Sequence, residues 1–171
     1  MVVRRAGART LFAVIDALGH GEAAHQAAEL AVRELQEGAL GLSATDQVTR
    51  VHRALRGSRG AAITLGVFDD TTLEVVGVGN VDLRCRHGYV PFAPTPGIVG
   101  LRMRRLRVVR AQLPPQARLF VFSDGISSRL DIETVDHLPA PEAAAALLAC
   151  YGNLNDDASI LCLSPEREVL A

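Results

Sequence analysis

Apolar positions along this chain change their spacing near residue 60, and the change divides it into a helical first part and a strand-rich remainder. Residues 11–15 form an unbroken apolar run, short enough to be a strand buried on both faces. After Gly19 and Gly21, the positions Ala24, Ala27, Ala28, Ala31 and Leu35 recur at helical spacing, predicting an amphipathic helix over 22–37 that Gly38 closes. Ser43 followed three residues later by Asp46 reads as a capping box for a second helix, with Val48, Val51 and Leu55 as its stripe and Gly57 as its stop.

Beyond Gly60 the elements shorten. Strands are predicted over 61–68 and 73–78 around a turn at Asp69-Asp70, and over 81–86, where Val81, Leu83 and Cys85 alternate with Asp82, Arg84 and Arg86. Pro91, Pro94, Pro96 and Gly97 mark a loop, which together with Gly100 is a candidate flap. Strands return over 104–111 and 118–123, then a helix over 141–151 and a last apolar run after Ser159. Helices grouped in pairs or alone among meandering strands argue for an α+β fold with antiparallel sheets rather than a doubly wound parallel one. No linker divides the chain, so a single domain is expected over 1–171.

Composition adds exclusions. With 49% apolar residues a core is assured, and a net charge of −1 gives no reason to expect nucleic acid or an anionic membrane as partner. Every basic residue is arginine, so P-loop hydrolysis and Schiff-base catalysis, which need lysine, are out. Cys85, Cys150 and Cys162 have no metal-site spacing and are expected to be reduced, buried thiols of a cytoplasmic protein. The start of the chain has no secretory or membrane-spanning pattern.

The chemistry lies in the acids. Two apolar runs end in Asp16-Ala17 and Asp124-Gly125, while Asp156-Asp157 precedes a third run. If the third strand lies antiparallel to the other two, these carboxylates meet at one sheet edge and form a site for hard, oxygen-seeking cations such as Mg²⁺ or Mn²⁺. Two such ions sharing a carboxylate can activate a water and neutralise a phosphoryl group.

In order along the chain, LFAVIDALGHG at 11–21, GVGN at 77–80, LFVFSDG at 119–125 and NDDAS at 155–159 resemble the metal-dependent serine/threonine protein phosphatases of the PPM superfamily. Within it they are most similar to the SpoIIE-type branch, whose usual forms are DGLGHG, GN, SDG and DDxT, and in compact length to stand-alone stressosome phosphatases of the RsbX type. The resemblance implies a four-layer αββα sandwich of two antiparallel sheets flanked by helices. It also implies two Mn²⁺ or Mg²⁺ ions, with Asp16 bridging both, the Ala17 carbonyl on one, and Asp124 with Asp156 on the other. Asp157 stands where many relatives carry Asn, so either member of that pair is a candidate ligand. Catalysis would rest on Asp16 and Asp124, with His20 either an acid near the leaving oxygen or a positioning residue. The implied activity is hydrolysis of phosphoserine or phosphothreonine on a regulatory protein of STAS or stressosome type by a metal-activated water.

One departure tempers this. Relatives carry a further acid on a strand before the DGLGHG strand, whereas no Asp or Glu precedes Asp16 here. Either an N-terminal strand lies upstream, or the chain is truncated, or the second ion binds weakly; an inactive module that sequesters a regulator is the alternative function. The arginine-rich stretch over 102–110 reads as the solvated face of an edge strand. His25, His52, His87 and His137 read as surface residues.

Overall fold

The computed structural model describes residues 1–153 and 156–164, and within them two sheets stack face to face between helical layers. The larger sheet holds β1 (Val2–Ala6), β2 (Arg9–Ala17), β3 (Ala61–Asp69), β4 (Thr72–Val78) and, at its far edge, β8 (Val108–Gln112), in that spatial order. The smaller holds β10 (Ile160–Leu163), β9 (Arg118–Phe122) and β5 (Asp82–Arg86). Every pairing in both sheets is antiparallel, as the meandering pattern predicts. A two-stranded ladder, β6 (Gly97–Ile98) with β7 (Arg102–Met103), lies apart from them.

Three apolar clusters cement the layers. The first joins the larger sheet to α1 (Glu22–Glu37) and α2 (Ala44–Ala54), through Ala27, Ala31, Leu35, Val48 and Val51 against Leu11, Ala13, Ile15, Ile63 and Leu65. The second lies between the sheets, where Phe12, Val14, Leu73 and Val75 meet Leu83, Leu119, Val121 and Leu163. The third joins the outer face of the smaller sheet, Phe120, Phe122, Ile160 and Cys162, to Leu147 and Ala143 of α3 (Ala140–Tyr151). The order of layers is therefore αββα.

The alternation of a strand dictates which residue serves which cluster. On β2, Leu11, Ala13 and Ile15 face the helices, while Phe12 and Val14 face the other sheet. Phe12 lies over Gly66, its register partner on β3, where a Cβ would collide with the ring. Emptying such a fully buried phenyl position costs about 3–5 kcal/mol.

Helix boundaries follow the sequence closely. Ser43 caps α2 by accepting from the Asp46 N–H at 3.1 Å while its hydroxyl donates to the Asp46 carboxylate at 2.7 Å. In α1 the buried set is Ala24, Ala27, Ala31 and Leu35, with Ala28 off the stripe.

Several expectations need correction. The strand expected over 104–111 begins only at Val108, because residues 104–107 leave the ladder after β7. Arg110 does lie on the edge strand, where its guanidinium grips Glu74 at 2.7 Å, but Arg104, Arg105 and Arg107 are exposed on the preceding loop. The candidate flap is pinned: Thr95 exchanges backbone hydrogen bonds with Gly77 and Gly79, and Val99 exchanges two with Ala61. Cys162 is buried but Cys150 is exposed. His52, expected at the surface, is half-buried and accepts from the Gly100 N–H at 2.9 Å, whereas His87 is exposed as expected and pairs there with Asp136 at 2.6 Å. No helix among the described residues is long and apolar enough to cross a membrane.

Candidate metal centre

The carboxylates singled out in the sequence do converge, but not at the edge of one sheet. Asp16 belongs to the larger sheet, whereas Asp124 follows β9 and Asp156-Asp157 precede β10 in the smaller. β9 and β10 are antiparallel, so the end of one meets the start of the other. The sandwich then brings Asp16 opposite them. Asp16 continues the face of Phe12 and Val14, the side of β2 that looks toward the other sheet. At that end of the intersheet layer opens a cavity of about 630 Å³ lined by Asp16, Ala17, Leu18, Gly19, His20, Asn80, Asp124, Asp156 and Asp157. All five residues expected at the metals and His20 thus share one cavity; Asn155 of the NDDAS segment lies outside the described residues.

The chain crosses between sheets beside this cavity, and the GVGN segment is that crossing. β4 ends at Val78 in the larger sheet and β5 starts at Asp82 in the smaller. Gly79 turns the chain with φ +92°, and a Cβ there would stand 2.6 Å from the Cβ of Ala62, the register partner of Asp16. Both backbone angle and space therefore call for glycine. Just after the crossing, buried Thr64 donates to the Val81 carbonyl at 2.7 Å, tying β3 to the new sheet. Asn80 is thereby aimed so that its amide Nδ2 donates to Asp124 at 2.5 Å.

The opposite wall is set by two serines. Ser123, 1% exposed, donates its N–H to the Ser159 carbonyl and accepts the Ser159 N–H on its hydroxyl, each at 3.0 Å. This clamp fixes the end of β9 to the start of β10. Gly125 comes next, and a Cβ on it would collide with the Asp157 carbonyl oxygen, so the Asp-Gly pair lets the two acid-bearing turns nest. The Asp157 N–H folds back on the Asp156 carboxylate at 2.9 Å. Sequence reasoning quoted GVGN and the two serines without giving Asn80, Ser123 or Ser159 a role.

The electrostatics are those of a site short of positive charge. Asp16 is pushed up from 3.8 to about 6, first by burial, then by the charge of Asp124, a hydrogen bond to it, and the charges of Asp156 and Asp157. The repulsion that neighbouring carboxylates impose on Asp16 is what a divalent cation relieves, and the oxygen-only donor set suits Mg²⁺ or Mn²⁺. The residues present fit such an ion by chemistry. As placed, they line a cavity rather than a closed ring: among the described residues no three His, Cys, Asp or Glu side chains converge on one coordination point. β1 carries no acid, and its pairing begins at Val2 opposite Ala13, three positions short of Asp16.

The family model described as Stage II sporulation protein E (SpoIIE) matches residues 6–166. No curated protein matches the chain. Among solved structures, one from work on the bacterial stressosome as a modular system adapted to control secondary messenger signalling is 26% identical, with TM-score 0.87, covering 94% of this chain and 88% of that one. RsbX in complex with magnesium is 18% identical, with TM-score 0.78 and coverage of 94% and 82%. The Mycobacterium tuberculosis serine/threonine phosphatase PstP/Ppp is 16% identical, with TM-score 0.73 and coverage of 97% and 95%. These likenesses agree with the αββα layering, and with the family match spanning nearly the whole sequence the chain belongs to the SpoIIE family, with the fold of the PP2C-type protein phosphatases.

Proposed function

We propose that this protein is a Mn²⁺- or Mg²⁺-dependent phosphatase that hydrolyses phosphoserine or phosphothreonine on a regulatory protein of the STAS or stressosome type, in the cytoplasm. The observation that carries the reading is the meeting of Asp16 from one sheet with Asp124, Asp156 and Asp157 from the other around a cavity wide enough for a phosphorylated side chain. The neighbours in stressosome work and RsbX support the choice of partner class.

A divalent cation bound here would supply charge to neutralise the phosphoryl oxygens and acidify a water. Asp16, the Ala17 carbonyl, Asp124 and Asp156 are the groups that would hold it, with Asp157 beside them. Asn80 holds Asp124 in place by its 2.5 Å bond. The net reaction adds water across the phosphorus–oxygen ester bond, and the departing seryl or threonyl oxygen takes a proton. His20 is exposed at the cavity wall, within reach of a donor role at that oxygen.

Turnover of p-nitrophenyl phosphate and of a phosphorylated STAS protein with Mn²⁺, for wild type beside Asp16→Asn and Asp124→Asn, tests the reading. Metal-dependent activity lost in both variants supports it; equal rates in all three sink it. Tight binding of the regulatory protein without turnover would instead favour a sequestering module.

A further inference from the structure

Beside the acidic cavity runs a second depression of about 510 Å³ between α1 and the loop that joins α2 to β3. Ala23, Ala27 and Leu30 of α1 form its apolar wall, and Arg56 and Arg59 of the loop form its charged one. The two hollows share a border. Leu18 donates its backbone N–H to the Gly60 carbonyl at 3.0 Å, and Arg59 Nη1 stands 2.7 Å from where a Cβ on Gly19 would sit. A groove that can carry chain thus leads to the cavity across Gly19 and His20.

The charge of this groove is not balanced locally. No Asp or Glu occurs between residues 47 and 68, a stretch that holds Arg50, Arg53, Arg56 and Arg59. Arg50 is spent on Glu34 at 2.5 Å, whereas Arg56 and Arg59 are exposed and make no side-chain hydrogen bond or ion pair among the described residues. Glu22, at the start of α1, is engaged by Gln26 at 2.9 Å. The loop is also rigid: Ser58 donates its N–H and its hydroxyl to the Leu55 carbonyl and accepts the Gly60 N–H at 3.1 Å. Two free guanidinium groups are therefore presented on a preorganised backbone, which limits the ordering cost of binding an anion.

We propose that this groove docks an acidic segment of the substrate protein, adjoining its phosphorylated residue, with Arg56 and Arg59 taking the carboxylates and the α1 face taking apolar side chains. The identity of the occupant rests on the phosphatase reading; the charge selectivity does not. The apolar wall favours a polypeptide over a nucleic acid backbone, which offers phosphates and sugars but no apolar side chains at chain spacing.

The test is made without catalysis, on the full chain in chelator. Fluorescence anisotropy compares a labelled peptide bearing several Asp and Glu residues beside an unmodified serine with the same peptide carrying Asn and Gln. The wild type should prefer the acidic peptide by about tenfold at low salt, and the preference should shrink toward unity near 0.5 M salt. Arg56→Glu/Arg59→Glu, checked for native circular dichroism, should abolish it, Arg56→Lys/Arg59→Lys should keep most of it, and Arg129→Glu, at an exposed residue that lines neither hollow, should leave it intact. Equal affinity for both peptides, or an undiminished preference in the Glu double variant, overturns the proposal. Stoichiometric displacement of the acidic peptide by a short oligonucleotide of equal charge overturns it in favour of nucleic acid. Because neither phosphate nor metal takes part, loss of turnover in the Asp16→Asn assay and loss of charge preference here are separate results.

Discussion

Asp16→Asn in the cation-free protein should increase stability rather than reduce it. The native carboxyl of Asp16 titrates at about 6 against 3.8 when unhindered, so at neutral pH the fold must ionise an acid that burial and three neighbouring carboxylates oppose. The native state binds the proton more tightly than the unfolded state does, so this group makes stability fall as pH rises from about 4 through 6 and adds no penalty below the unfolded value. The full difference would be worth about 3 kcal/mol, but Asp16 is only half-buried, and solvent screening reduces a realistic figure to about 1–2 kcal/mol. Asparagine keeps the shape and removes the charge. For a chain of this length that gain raises Tm by about 3–6 °C. Thermal unfolding by circular dichroism in chelator at pH 7.5 and pH 4.5 is the assay, with the full gain expected at the first and about a third of it at the second, which still lies above the unfolded value. Saturating Mg²⁺ or Mn²⁺ should reverse the order, because only the wild type keeps the full donor set. A variant less stable than wild type in chelator at pH 7.5, or a gain independent of pH, would refute the electrostatic account.

Other substitutions probe the scaffold around the acids. Asn80→Ala removes the amide that holds Asp124, and should weaken divalent-ion affinity by about 10–100-fold in calorimetry while leaving the urea midpoint nearly unchanged. Gly79→Ala meets both a positive φ and the Ala62 Cβ, and should cost about 2–4 kcal/mol in urea unfolding; a loss under 1 kcal/mol would show that the crossing relaxes easily. Ser123→Ala leaves the Ser159 N–H without its hydroxyl acceptor, for a loss of about 1–3 kcal/mol and faster amide exchange at residues 156–159.

Much of this architecture was legible in the amino-acid order. The bounds of α1 and the cap of α2 follow from apolar spacing and from Ser43 with Asp46, because both are local. The acid-tipped strands were visible for the same reason, and the fourfold motif order carried the family. What stayed hidden is relational. A run such as that of β2 shows burial on both faces but not that its two faces serve different layers, so Asp16 and Asp124 were expected along one edge instead of across a sandwich. Asn80 is an ordinary turn residue until its register against Asp124 is known, and residues 104–107 have no partner strand to pair with among the described residues. The groove arginines continue the three-residue spacing of Arg50 and Arg53 past the end of α2, but that spacing alone does not reveal the hollow they border.

Dividing the carboxylates between two sheets also fixes when the site comes into being. Residue 16 stands more than a hundred positions before 124 and 156, so no stretch of unfolded chain gathers these groups, and neither sheet alone holds them. The gathering of the carboxylates is completed by the docking step itself, the same event that seals Phe12 and Val14 against Leu119 and Val121. On the proposed reading a cation would recognise only the finished sandwich, and its affinity would add to native-state stability. Docking without an ion drives like charges together, so the proposed function makes availability of the metal and completion of the tertiary structure one linked equilibrium.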